Sequence, residues 1–179
     1  MNPLFKTPVV LISMAACIFF TIVMKIQGRP LQTTASPKGI VSLELAYQPA
    51  DAAAITTHWN ATNNRNRSLT NVALYNTLID FVYIAAYGLF CILLCLRSAA
   101  LLPEKKLLKA AAFLAFIAGG MDALENMLML YTLQKEVLPL VTAMTAIAAG
   151  IKFSLLATVV LILLFAWLKR LFTQPKVQN

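Results

Sequence analysis

The sequence predicts an all-α membrane protein, a four-transmembrane-helix bundle with a small extracytoplasmic cap between helices 1 and 2. Three observations predict it. The chain is 60% hydrophobic and only 12% charged, whereas a soluble domain carries about a quarter charged residues. Four apolar runs approach or exceed the roughly 20 residues that cross the hydrocarbon core. The basic residues collect at the ends of those runs instead of forming one patch, so the net charge of +8 fits anionic lipid headgroups and excludes a nucleic-acid interface.

The first span, about 8–25, follows Lys6. Its apolar character continues through Ile18–Met24 with no A-x-A site after it, which reads as an uncleaved span and not a signal peptide. Residues 26–69 form the cap, a polar stretch punctuated by Pro30, Pro37, Gly39 and Pro49. Inside it, Ile40–Tyr47 is apolar apart from Ser42 and Glu44. Pro49-Ala50-Asp51 starts a helix that runs to about Trp59, with proline in the first turn and an acid at the positive dipole end. Trp59 and Tyr47 are expected at headgroup level. The remaining spans cover about 70–96, 107–133 and 138–168, and the short turn at Gln134-Lys135-Glu136 makes the last two an antiparallel hairpin.

Orientation follows from the distribution of Lys and Arg. Arg97, Lys105, Lys106 and Lys109 lie between spans two and three, and Lys169, Arg170 and Lys176 follow span four. Both termini are therefore expected in the cytoplasm, with the chain a multi-pass protein of a cell membrane. Lys25, Arg29, Lys38, Arg65 and Arg67 run against that bias, but in a long segment where charge counts for less.

Four ionisable residues interrupt the spans: Asp80, Asp122, Glu125 and Lys152. Charge at membrane depth is costly unless paired, protonated or wetted, and marks a functional hypothesis. Asp80 lies 17 residues from Arg97, Lys152 lies 17 from Lys169, and Asp122 and Glu125 lie 13 and 16 from Lys109. With a 1.5 Å rise per residue all four fall roughly 20–25 Å from the cytosolic boundary, in one outer-leaflet layer. Their faces agree. Asn76, Asp80, Tyr83 and Tyr87 make one stripe, Asp122, Glu125 and Asn126 another, and Thr145, Ala149 and Lys152 a third. Gly119 and Gly120 are expected to allow close helix approach, and Gly150 lies beside the third stripe.

Lys152 is expected to pair with Asp122 or Asp80. Three carboxylates against one ammonium leave surplus acid, which predicts that one carboxyl, Glu125 by position, keeps its proton and bonds to Asn126 or Tyr83. Arg29, Arg65, Arg67 and His58 are candidate compensators, and Glu44 can enter the layer from the cap. The alternative is a purely structural helix lock, which needs no surplus of acid.

His58 is the single histidine, so no bis-histidine haem or multi-histidine zinc site exists, and neither metal nor cofactor is expected. Cys17, Cys91 and Cys95 form no C-x-x-C motif and read as small buried hydrophobes. Asn60-Ala61-Thr62 and Asn66-Arg67-Ser68 match glycosylation sequons by chance.

Leu43-Glu44-Leu45-Ala46, Trp59, Asp80-Phe81 with Tyr83 and Tyr87, and Asp122-x-x-Glu125-Asn126 together resemble small, uncharacterised bacterial integral membrane proteins with four spans. That resemblance implies no activity. The residues themselves point to an integral membrane protein that binds a small amphipathic or cationic ligand, or a partner membrane protein, at Asp80, Tyr83, Tyr87, Asp122, Glu125, Asn126, Lys152 and Glu44. Membrane lipids are the expected partners, and a homo-oligomer is compatible. The alternatives are an intramembrane enzyme using an Asp122/Glu125 acid–base pair and an oligomeric proton-coupled transporter.

Overall fold

A computed structural model describes residues 7–64 and 67–173. Lys6, Arg65, Asn66 of the second sequon and Lys176 lie outside the described residues. Four long helices account for most of the chain: α1 (Thr7–Gly28), α4 (Leu69–Leu101), α5 (Lys105–Gln134) and α6 (Pro139–Thr173). Each is long and apolar enough to cross a membrane, so the protein is a multi-pass, four-helix membrane bundle. Mean hydropathy of the spanning window is lowest, 1.7, in α5, the helix that carries Asp122, Glu125 and Asn126. With 35 residues, α6 is roughly 52 Å long and exceeds the roughly 30 Å hydrocarbon core.

The helices pack in chain order, α1 on α4, α4 on α5 and α5 on α6. No extended seam joins α1 to α6 among the described residues, so the bundle is open along one side. Close approach within it depends on alanine. Ala111, Ala115 and Ala118 on α5 are fully buried, and with no polar group to satisfy they let neighbouring helices draw near. The expected role of the glycines is not met. A Cβ at Gly120 or Gly150 would touch nothing, and one at Gly119 would make only ordinary contact with Ile84.

Between α1 and α4 lies the small subdomain expected as a cap, seated on the bundle end where α5 turns into α6. A 3-10 turn (Arg29–Leu31) leads to α2 (Ile40–Glu44) and α3 (Pro49–Ala61), and a two-residue ladder pairs β1 (Asn63–Asn64) with β2 (Arg67–Ser68). Gly39 has φ +63°, the left-handed region that glycine enters without a Cβ penalty, and this turn folds α2 back over the helix ends. Pro49 occupies the first turn of α3 and Ser68 caps α4, its hydroxyl accepting from the Asn71 amide at 3.3 Å.

The subdomain shares a core with the adjoining ends of α4 and α5, in which Trp59 is completely buried among Leu31, Leu43, Ile55, Leu69 and Met129. The Trp59 indole donates to Ser36 Oγ at 3.0 Å, and Ser36 donates onward to the Leu31 carbonyl at 2.6 Å. This corrects the expected headgroup placement of Trp59. Burying the ring against α4 and α5 removes more apolar area from water than an interfacial position would, and the indole N–H finds a partner inside. Tyr47, by contrast, is exposed.

At the opposite end a second apolar cluster holds Cys95, Leu102, Leu108 and Val159. Lys169 Nζ meets Glu104 at 2.8 Å there, and this hydrogen bond holds the Glu104 carboxyl below its ordinary range. Trp167 donates to Ser98 at 3.2 Å, tying α6 to α4.

Candidate functional site

The polar stripes on α4, α5 and α6 meet just beneath the subdomain, and Lys152 is their centre. Its ammonium lies 2.9 Å from Asp122 Oδ1, 2.8 Å from Glu125 Oε2 and 3.5 Å from Glu44 Oε2. All four residues are buried. The ammonium also sits 4.7 Å from the Phe153 ring centroid, a cation–π contact that favours the charged lysine. Of the two partners that depth matching allowed for Lys152, the structure selects Asp122. Asp80 is not the partner.

Asp122 is held from its other side by the Tyr87 hydroxyl, which donates to Oδ2 at 2.6 Å. That distance lies at the short end for an O–H···O hydrogen bond. Tyr83 stacks beside Tyr87 with ring centroids 5.2 Å apart and shares a 3.2 Å hydrogen bond with Thr21 of α1. Asn126 donates to Asp80 Oδ2 at 2.8 Å. The sequence-based expectation that Glu125 would bond to Asn126 or Tyr83 is therefore replaced by bonds of those two residues to Asp80 and Thr21. The reason is the helix order, since α4 and not α6 lies against the Asn126 edge of α5.

Glu125 has no exposed surface, and its Oε1 meets no donor among neutral side chains. The Glu44 carboxyl faces the same Lys152 ammonium from the subdomain side, 3.5 Å away. Burial pushes the Glu44 carboxyl up from its ordinary range, outweighing the opposing attraction of Lys152. The α2 end of the subdomain thereby packs on α5 and α6. The compensators expected from Arg29 and Arg67 sit elsewhere, Arg67 over the Tyr75 ring at 5.7 Å and Arg29 on a separate outer cavity.

Beside the cluster is a cavity of about 440 Å³, within the range of small-molecule sites. It lies on the open side, bounded by α1 at Cys17 and Met24 and by α6 at Phe153, Leu156 and Val160. Its end near the subdomain is polar, with Glu44, Asn76, Asp80, Asp122 and Lys152. Its far end is apolar, with Phe90, Leu156 and Val160. From Asp80 to Phe90 the helix advances roughly 15 Å.

Asp80 differs from the other acids. Asp122, Glu125 and Glu44 all converge on Lys152, whereas Asp80 is held by the neutral Asn126 amide and is only half-buried.

Sequence reasoning missed Thr21 and Gln27 of α1. Asn76 donates to Gln27 Oε1, and Gln27 Nε2 donates to the Val72 carbonyl at 2.9 Å. These bonds clip the end of α1 to α4. A Cβ at Gly28 would come within 3.1 Å of Asn76 Nδ2, so glycine leaves room for the amide. The available signal was a pair of polar residues in an apolar run, Thr21 and Gln27, separated by six positions. No protein-family model matches the chain, and no curated protein or solved structure matches it either.

Proposed function

We propose that this membrane protein binds one small amphipathic ligand with a cationic or hydrogen-bond-donating head, which enters from the bilayer between α1 and α6. The single observation that carries the reading is the polarity gradient of the 440 Å³ cavity, charged at one end and apolar at the other. Asp80 receives the head, because its carboxylate is the one not committed to Lys152. Tyr83, Tyr87 and the Lys152–Asp122 pair form a fixed wall behind it. The apolar tail lies along Phe90, Leu156 and Val160. An acid–base reaction at Asp122 and Glu125 is less well supported, since the Lys152 ammonium occupies both carboxylates.

Native mass spectrometry of protein extracted in a mild detergent tests this reading. The expected result is a 1:1 adduct of lipid-like mass that survives delipidation and declines in Asp80→Asn. Bare protein from both chains would refute the proposal, and an adduct of a second protein would move it to a partner-binding role.

In the orientation that the basic residues favour, the subdomain faces outward and both termini are cytoplasmic. With Cys17, Cys91 and Cys95 replaced by alanine, an impermeant maleimide added to intact cells should label Asn63→Cys and spare Lys105→Cys. The reverse pattern would invert the topology.

A further inference from the structure

A second cavity, of about 530 Å³, lies where α1 ends under the subdomain, and it touches the first at Met24, Ile40, Val41 and Asn76. Three basic residues line it, Lys25, Arg29 and Lys38, and no acid does. Lys25 and Arg29 stand one helical turn apart on the α1 axis. Lys38 reaches them because Gly39 turns the chain and packs close to the Gly28 carbonyl; a Cβ at Gly39 would lie 3.7 Å from that oxygen. The Lys38 amide is pinned by Ser42 Oγ at 2.9 Å, so its position is built into the fold. All three side chains are exposed at the cavity rim.

Like charges gathered on one cavity repel. Two of them, near the C-terminal end of α1, offset the helix dipole, but Lys38 is not on that helix. The grouping also runs against the charge bias that orients the chain, because the same segment is the one the orientation places outside. Met24, Ile26, Ile40 and Val41 supply an apolar wall beside the charges, at the level where a spanning helix leaves the hydrocarbon. A cationic rim on an apolar wall at that depth matches a phosphate group on a lipid better than a soluble anion.

We infer that Lys25, Arg29 and Lys38 form a binding site for a phosphate-bearing anion, occupied by the headgroup of an anionic phospholipid. This site is independent of the ligand proposed for the inner cavity. Each basic residue near an anionic lipid surface is worth about fivefold in affinity.

The test is a thermal-stability titration of the full chain, delipidated in detergent, with phosphatidylglycerol, phosphatidylcholine or inorganic phosphate. Phosphatidylglycerol should raise the melting temperature at concentrations where phosphatidylcholine does not. The triple variant Lys25→Gln, Arg29→Gln, Lys38→Gln should lose that response by on the order of 100-fold in concentration, while melting at or above the wild-type temperature without lipid. Arginine at positions 25 and 38 should keep the response. If inorganic phosphate alone reproduces the shift, the site stands but its occupant is a free anion. An equal response of the triple variant, or none from the wild type to either phosphate source, overturns the proposal. Should the triple variant fail to fold, the wild-type response must weaken as salt rises from 0.05 to 0.5 M, as screening of exposed charges requires. A salt-independent response overturns it equally.

Discussion

Lys152→Met will lower the unfolding free energy by about 3–5 kcal/mol, the cost of removing one partner from a buried ion pair. The methionine fills nearly the same volume, so the loss is electrostatic. Asp122, Glu125 and Glu44 converge on that ammonium at 2.9, 2.8 and 3.5 Å, and without it Asp122 retains the Tyr87 hydrogen bond. The double variant Lys152→Met with Asp122→Asn should recover part of the loss, because it also removes the carboxylate that loses the Lys152 contact. Reversible unfolding in mixed micelles followed by circular dichroism measures both. A double variant no more stable than the single one would mean that Asp122 is not an ionised partner of Lys152.

Trp59→Ala should cost about 3–5 kcal/mol of subdomain stability, the usual range for emptying a large buried aromatic site. The ring is fully enclosed, and its loss also removes the indole hydrogen bond to Ser36 Oγ. The damage should be local. The four spanning helices keep their own packing, so hydrogen exchange should accelerate across residues 29–61 and remain slow in α5. Glu44 then leaves the cluster with α2, which exposes the polar end of the inner cavity to water. Uniform acceleration through α4, α5 and α6 would show instead that the subdomain and bundle unfold as one unit.

The spans were legible because lipid imposes a length and a polarity on every crossing helix. The α4 stripe of Asn76, Asp80, Tyr83 and Tyr87 and the α5 group of Asp122, Glu125 and Asn126 were legible for a related reason. A polar side chain at that depth must face another, and counting residues from the basic ends places them at equal height. Depth matching narrowed the partner of Lys152 to Asp122 or Asp80, and the structure takes the first.

What depth cannot supply is the order of helices around the bundle. Asn126 therefore went to the wrong acid, and the open side between α1 and α6 was not foreseen, since α1 carries too few polar residues to declare its neighbours. Trp59 failed for a different reason. A tryptophan at the end of a short helix has the same local sequence whether it faces headgroups or a core, and its partner Ser36 lies 23 residues earlier in a stretch with no periodicity. The glycines misled because a small residue permits close approach without requiring it, and here buried alanines supply the contact.

Recognition of an amphiphile through Asp80, in the cavity beside Lys152, can be measured by calorimetric titration of dodecylammonium into protein in nanodiscs. Dodecanol and dodecyl sulfate control for partition into the bilayer. The ammonium should bind saturably at 1:1 and weaken on the order of tenfold or more in Asp80→Asn, as loss of a hydrogen bond to a charged group requires. Binding by wild type and Asp80→Asn of equal strength, or no binding beyond the partition seen with dodecanol, would contradict it.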